Sequence, residues 1–346
     1  MKRPVLMLKV LVSLLFLAGL IALLDIGELS RQARDIDGFY LALSVVFSFL
    51  MVAASTWKWW YLMRLQGCPL PYLTLYRWYF IGYFYSNFLP SNVGGDVARA
   101  WLAGRKTGAP AAALAAVVAE RVTGLLLLLL LAVCLPFLAP EFIRHPAVGF
   151  GMLVGLVGLI VLLALGWGGR AGLKSDALRR WREGLRVRLG ADRPGKRQLW
   201  WEKAEVKVGR FGERIGVLAG LLRRRPGAAA AVLGLTVLFY AMMVVNVALA
   251  YRAFGVWPEW REVTAVLPVA LLVAMIPVTL GNLGIAEGSY VFYFGLAGMG
   301  RELTLAMGLL LRVKIIILGL VGMLVQAGET VEPLPRSANA DGDEPT

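Results

Sequence analysis

Long apolar segments alternate with short polar ones along most of this chain. Several windows of about 20 residues contain almost no charge, which is the length that an α-helix needs to cross a hydrocarbon core of about 30 Å. The segments predicted as full spans are Val5–Asp25, Phe39–Met63, Ala109–Leu138, Pro146–Trp167, Gly227–Phe254 and Leu303–Ala327. The pattern therefore predicts an all-α polytopic membrane protein.

Two further apolar segments are interrupted by helix-breaking and polar residues. The interruptions are predicted at 90–96, after which the helix resumes at Val97, and at 277–288. Their helix-breaking residues are Pro90, Gly94 and Gly95 in the first and Pro277, Gly281 and Gly284 in the second. Backbone that is not helical is tolerated at membrane depth only where protein or a watery cavity surrounds it. Each interruption therefore predicts a broken or re-entrant helical hairpin. For the second, two further spans over 263–280 and 283–298 are an open alternative.

The two interruptions share a spacing. Asp96 precedes Arg121 by 25 residues, and Glu287 precedes Arg312 by 25 residues. Each interruption is therefore followed by a carboxylate and then by an arginine inside the next predicted span. Broken helices in two halves of opposite orientation are typical of transporters, so the spacing predicts an inverted repeat.

Composition and charge sharpen this picture. The chain is 59% hydrophobic with a mean hydropathy of +0.69, and its net charge is +14. The stretch 170–225 alone holds 17 Lys and Arg against 6 Asp and Glu. One basic loop between membrane spans indicates a cytoplasmic segment facing anionic lipid rather than a nucleic-acid-binding surface. Both termini are then expected to be cytoplasmic.

These features divide the chain into four parts. We predict an N-terminal membrane half over 1–169, a basic cytoplasmic insert over 170–226, a C-terminal membrane half over 227–328 and a disordered acidic tail over 329–346. In the insert, apolar residues recur every three or four positions from Ala204 to Leu222, which predicts an amphipathic helix. It would either lie at the inner leaflet or pack on the protein body.

Upstream, Lys58 stands among tryptophans and is predicted to snorkel to the interface.

Charged side chains inside the apolar segments are the candidates for function, because they are costly there. The candidate ligand-binding residues are Arg99, Arg121, Arg312, Lys314, Asn92 and Asn282. Asp96, Glu120 and Glu287 are the acids expected to pair with these bases or to take up protons. With one histidine and two cysteines, the sequence indicates no metal site, and it contains no phosphate-binding loop, so we expect no cofactor.

Three sequence blocks resemble a known family. They are Phe88-Leu89-Pro90-Ser91-Asn92-Val93-Gly94-Gly95-Asp96-Val97-Ala98-Arg99, Ala119-Glu120-Arg121-Val122, and the block from Ile276-Pro277 to Gly281-Asn282-Leu283-Gly284-Ile285-Ala286-Glu287-Gly288. Together they resemble the lysylphosphatidylglycerol synthase transmembrane-domain family, which includes the flippase half of the multiple peptide resistance factor. The resemblance implies a protein of a bacterial-type cytoplasmic (inner) membrane that moves a lipid between leaflets. It marks Asp96, Arg99, Glu120, Arg121 and Glu287 as motif positions. No aminoacyl-transferase domain follows residue 328, so lipid aminoacylation is not expected.

The sequence thus favours a translocator of an anionic phospholipid or a polyprenyl-phosphate-linked lipid. A non-catalytic scaffold that recruits a cytoplasmic partner through 170–225 stays open. So does a membrane-embedded enzyme that transfers or removes a lipid phosphate. The sequence also leaves open whether the chain forms a homo-oligomer.

Overall fold

The computed structural model describes residues 35–88, 93–172, 214, 216–276, 279 and 282–328. Within these ranges the chain is helical, which confirms the predicted class. The helices are α1 (Gly38–Leu65), α2 (Tyr72–Phe88), α3 (Gly94–Thr107), α4 (Pro110–Cys134), α5 (Pro140–Ile143), α6 (Pro146–Gly172), α7 (Pro226–Ala253), α8 (Trp260–Ala274), α9 (Ile285–Leu296) and α10 (Arg301–Gly328). A 3₁₀ turn, Leu135–Leu138, extends α4, and residues 216–224 are helical ahead of α7.

Five of the described helical segments are long and apolar enough to cross a membrane. They are α1, the segment Pro110–Leu138, the segment Pro146–Ala164, α7 and α10. They match five of the six predicted full spans. The remaining predicted span, Val5–Asp25, lies outside the described residues.

The two interrupted segments form hairpins of shorter helices. Helices α2 and α3 have 17 and 14 residues and pack against each other. Helices α8 and α9 have 15 and 12 residues and also pack against each other. At 1.5 Å per residue, α8 and α9 are roughly 22 Å and 18 Å long, short of a hydrocarbon core of about 30 Å. Their lengths favour the second re-entrant hairpin over the alternative of two further spans.

The first break is shorter than the sequence predicted. Helix α3 begins at Gly94 rather than at Val97, so Gly94 and Gly95 lie in its first turn. A Cβ on Gly95 would overlap the carbonyl oxygen of Gly82 and the hydroxyl of Ser86. The adjacent glycines therefore let the start of α3 lie directly on α2. The break residues Pro90 and Asn92 lie outside the described residues.

At the second break, α8 ends at Ala274, earlier than the predicted Leu280. Helix α9 begins at Ile285 as predicted, and Gly284 caps it with a φ of +84° that suits glycine. Asn282 also has a positive φ, +56°. Pro277 and Gly281 lie outside the described residues.

The helix contacts support two related halves. The contacts of one half correspond to those of the other when the helices are matched in chain order. The matches are α1 with α7, α2 with α8, α3 with α9 and α4 with α10. Contacts α2–α3, α3–α4 and α1–α4 have the counterparts α8–α9, α9–α10 and α7–α10. Across the halves, α2 packs on α10 just as α8 packs on α4.

The two halves also run in opposite directions. The backbone N–H of Asp37, just before α1, donates to the carbonyl oxygen of Ala253 at the end of α7 (2.8 Å). At the other end of α1, the side-chain amide of Gln66 (Nε2) donates to the backbone carbonyl oxygen of Arg214, upstream of α7 (3.2 Å). Helices α1 and α7 are therefore antiparallel, as an inverted repeat requires.

The bundle has two apolar cores, each built mainly from one half and completed by residues of the other. One core is centred on Trp59, Leu62, Leu75 and Ile81, and the other on Tyr251, Leu267, Phe294 and Met307. Leu218, from the end of the predicted amphipathic helix, is 2% exposed and belongs to the first core. This end of the insert therefore packs on the protein body. Residues 204–213 and 215 of the predicted helix lie outside the described ones.

Close packing of α2 on α10 depends on glycine. A Cβ on Gly322 would overlap the carbonyl oxygen of Phe80, whereas a Cβ on Gly234 of α7 would meet nothing within 4 Å. We expect Gly322→Ala to lower the free energy of unfolding by about 1–3 kcal/mol, because the two helices must move apart. Gly234→Ala is the control and should be neutral or slightly stabilising. Thermal unfolding of both variants in the same detergent checks this, and equal midpoints would contradict it.

Candidate functional site

A carboxylate occupies the same position at the start of each second half-helix. Asp96 is the third residue of α3, and Glu287 is the third residue of α9. The first turn of a helix has unpaired N–H groups and a positive dipole end, which favour a negative charge. Glu287 uses this directly, since one of its carboxylate oxygens accepts a hydrogen bond from the backbone N–H of Gly284 (2.7 Å).

Each of these carboxylates binds the arginine 25 residues later. Arg121 donates from Nε and Nη2 to the two oxygens of Asp96, at 2.6 and 2.8 Å. Arg312 donates from Nε to Glu287. Arg121 and Arg312 are each the twelfth residue of their helix, counted from Pro110 and Arg301. The spacing seen in the sequence thus corresponds to one ion pair that occurs in both halves.

In the first half a second arginine joins the ion pair. Arg99 donates to Asp96 (2.5 Å) and to Glu120 (3.2 Å), and it is 1% exposed. Its guanidinium also lies over the rings of Tyr79 and Trp59, at 4.0 and 4.9 Å from their centroids. The Tyr79 hydroxyl donates to the other oxygen of Glu120 (2.7 Å). Each charged group in this buried cluster therefore has a partner of opposite charge or a polar partner.

The prediction that Lys58 snorkels to the membrane interface is wrong. Lys58 is 5% exposed, and its ammonium donates to the backbone carbonyl oxygen of Glu120 (3.1 Å). The neighbouring Trp57 is 53% exposed, because one residue turns a helix by about 100°. The tryptophan-rich pattern did not show which face carries the lysine. We call Lys58, Asp96, Arg99, Glu120 and Arg121 the first charge cluster.

The first charge cluster has three bases and two acids, so its formal charge is positive. Its exposed member is Arg121, whose side chain is 61% exposed, against 2% for Arg99 and 13% for Asp96. Among the described residues, Nη1 of Arg121 makes no hydrogen bond. The cluster therefore offers an oriented guanidinium, held by Asp96, to an anion outside the bundle.

The second half presents its charges differently. The Arg312 side chain is 23% exposed, and Nη2 also donates to the carbonyl oxygen of Asn282 (3.3 Å). The side-chain amide of Asn282 donates to the carbonyl oxygen of Ala274, where α8 ends. Asn282 thus links the end of α8 to the side chain of Arg312 on α10, which is a structural contribution.

Lys314 does not lie beside Arg312. It is 2% exposed and donates to Ser44 of α1 (2.6 Å) and to Asn246 of α7 (2.7 Å). Arg312 and Lys314 are two positions apart, which places them on nearly opposite faces of α10. Lys314 therefore points into the bundle. Sequence reasoning missed Ser44 and Asn246. Their signal was a small polar residue inside an otherwise apolar span.

The burial of Arg99 and Arg121 differs enough for a stability test. We expect Arg99→Ala to destabilise the protein by about 3–5 kcal/mol, because it leaves Glu120 and Asp96 buried with fewer partners. Arg121→Ala should cost about 0–1 kcal/mol, since Arg121 is exposed and Asp96 keeps Arg99. Unfolding of the two variants in one detergent checks this. A larger loss for Arg121→Ala would contradict the assigned burial.

Comparisons with known proteins identify the family. Residues 6–322 match the model of the lysylphosphatidylglycerol synthase TM region. Two relatives, each named UPF0104 membrane protein, come from Methanothermobacter thermautotrophicus (strain Delta H). One is 21% identical over 313 residues, covering 86% of this chain and 87% of the relative. The other is 23% identical over 308 residues, covering 84% and 83%.

No solved structure matches the chain. The family model covers nearly all of the membrane region, including both hairpins and both carboxylate–arginine pairs. The chain therefore belongs to the lysylphosphatidylglycerol synthase transmembrane-region family.

Proposed function

We propose that this protein translocates a lipid between the leaflets of a bacterial-type cytoplasmic membrane. Its substrate would be an anionic phospholipid or a polyprenyl-phosphate-linked lipid. The observation that carries the proposal is the exposed Arg121, fixed by Asp96 within a net-positive cluster at a half-helix N-terminus. A guanidinium binds phosphate through charge-assisted hydrogen bonds, so a lipid phosphate is a suitable ligand for this side chain.

In this proposal each residue of the first charge cluster has a separate role. Arg121 contacts the lipid phosphate, because its side chain is 61% exposed and Asp96 orients it with two hydrogen bonds. Arg99 and Glu120 are positioning residues that hold Asp96 and the start of α3. When a phosphate approaches, Asp96 can share Arg121 with it while keeping Arg99 as a buried partner.

The inverted repeat supports a path with access from both sides. The two hairpins belong to halves of opposite orientation, so their breaks are expected to approach the membrane centre from opposite faces. Arg312 and Glu287 repeat the first pair in the second half. The lipid headgroup would pass from one carboxylate–arginine pair to the other while the acyl chains stay in the bilayer. If the basic insert 170–225 lies in the cytoplasm, both termini are cytoplasmic. The first hairpin then enters the membrane from the cytoplasmic side.

A leaflet-exchange assay tests the proposal. Purified protein is placed in liposomes with fluorescent phosphatidylglycerol, lysyl-phosphatidylglycerol, phosphatidylethanolamine or an undecaprenyl-phosphate analogue. We expect faster exchange of one phosphate-bearing class. Arg121→Ala should slow it about tenfold, as expected for the loss of about 1.4 kcal/mol of headgroup binding. Arg261→Ala is the matched control, because Arg261 is 56% exposed and also pairs with a carboxylate, Glu141 (2.9 Å).

Two results would overturn the proposal. No exchange of any lipid by folded protein, with and without a proton gradient, would reject translocation. Capture of a cytoplasmic protein through 170–225 would then support the scaffold. Conversion of a lipid to a new species, detected by mass spectrometry, would instead show an enzyme.

A further inference from the structure

An apolar groove lies among three of the long helices. It has a volume of about 420 Å³ and is lined by α4, α6, α7 and the helical turn before α7. The residues that line it are Thr123, Leu126, Leu127, Leu130, Leu159, Leu163, Leu222, Ala229, Val232, Leu233 and Thr236. We call it the leucine groove. Its volume is within the range of about 300–1,000 Å³ that is usual for ligand sites.

The leucine groove is open on its outer side. Leu127 and Val232 are 7% and 3% exposed and form its floor, whereas Leu163 and Leu233 are both 56% exposed at its rim. The spans Pro110–Leu138, Pro146–Ala164 and Pro226–Ala253 contribute all of its lining residues except Leu222. Because these three spans are long and apolar enough to cross a membrane, we expect the groove to open to hydrocarbon.

A run of arginines stands at one end of the leucine groove. Leu222 and Ala229 both line it, and the residues between them include Arg223, Arg224 and Arg225. All three arginines are exposed, and no ion pair involves them among the described residues. Three arginines that directly follow Leu222 along the chain, beside an apolar groove, are complementary to a lipid with a phosphate next to its acyl chains.

We propose that the leucine groove and Arg223–Arg225 form a binding site for an anionic phospholipid. One acyl chain lies along the leucines of α4, α6 and α7, and the phosphate contacts the arginines at the start of α7. The lipid comes from the leaflet next to the basic insert 170–225, because the three arginines are the last residues of that insert. This site goes beyond the proposed translocation. Thr123, which lines the groove, donates to the backbone carbonyl oxygen of Glu120 (3.1 Å), so the first charge cluster adjoins the groove there. Arg121 lies two residues before Thr123, on nearly the opposite face of α4, so the anion site proposed at Arg121 and the leucine groove are separate.

Native mass spectrometry of the full chain tests the site, with phosphatidylglycerol and phosphatidylcholine added in equal amounts. We expect the protein to retain phosphatidylglycerol at least about tenfold better, since each arginine near an anionic lipid contributes to binding. Replacing all three arginines (Arg223→Gln, Arg224→Gln and Arg225→Gln) should remove this preference. Ala229→Trp fills the groove and should abolish retention of both lipids. Arg261→Gln and Leu238→Trp, at exposed positions away from the groove, are the controls and should behave like the wild type.

Two results overturn the proposal. One is a preference for phosphatidylglycerol that persists in the variant with all three arginines replaced, and the other is lipid retention that persists in Ala229→Trp. A photoreactive residue at position 233 provides a second measurement in case a variant fails to fold. A cross-link to phospholipid supports the site, and a cross-link to another segment of this chain or to a second copy rejects it. The outcome is independent of the leaflet-exchange assay, where the decisive variant is Arg121→Ala.

Discussion

The cost of placing charge in hydrocarbon governs this structure. A guanidinium or carboxylate is stable at membrane depth only with a partner, so each pair fixes the elements that carry it. Arg99 joins α3 to α4 through Glu120, Lys58 brings α1 against the same residue, and Tyr79 adds α2. Helix α3 has only 14 residues and could not cross the bilayer alone. The pairing of charges therefore holds a short helix in place, where length and hydrophobicity would not.

The two halves share one ion pair but not its surroundings. The residue three positions after Asp96 is Arg99, and the residue three after Glu287 is Tyr290. The residue before Arg121 is Glu120, and the residue before Arg312 is Leu311. The second half therefore keeps the carboxylate–arginine pair and lacks the additional base and acid. This difference explains why the first half carries the larger group of interacting charges, even though the framework of the two halves is the same.

The parts of the fold that depend on long-range composition could be predicted from the sequence. Five described spans and the two hairpins follow from apolar length and helix breakers. The sequence also predicted that the buried acids pair with the bases, and the repeated spacing of 25 residues corresponds to the pairs Asp96–Arg121 and Glu287–Arg312. The details that depend on which way one side chain points could not. Lys58 and Lys314 face the bundle because of a helix rotation that no local pattern records. The early start of α3 required knowing that Gly95 contacts Gly82, which is a tertiary contact.

The packing of α2 on α10 has a consequence for how the chain is made. Helix α2 emerges from the ribosome early, and α10 is the last of the described helices. The first hairpin thus waits for its neighbour through the synthesis of more than 200 further residues, including the basic insert. During that interval its ion pairs must form on the contacts of the first half alone. Biogenesis of this protein should therefore depend on whatever shelters an unfinished hairpin, whether a translocation chaperone or the lipids around it.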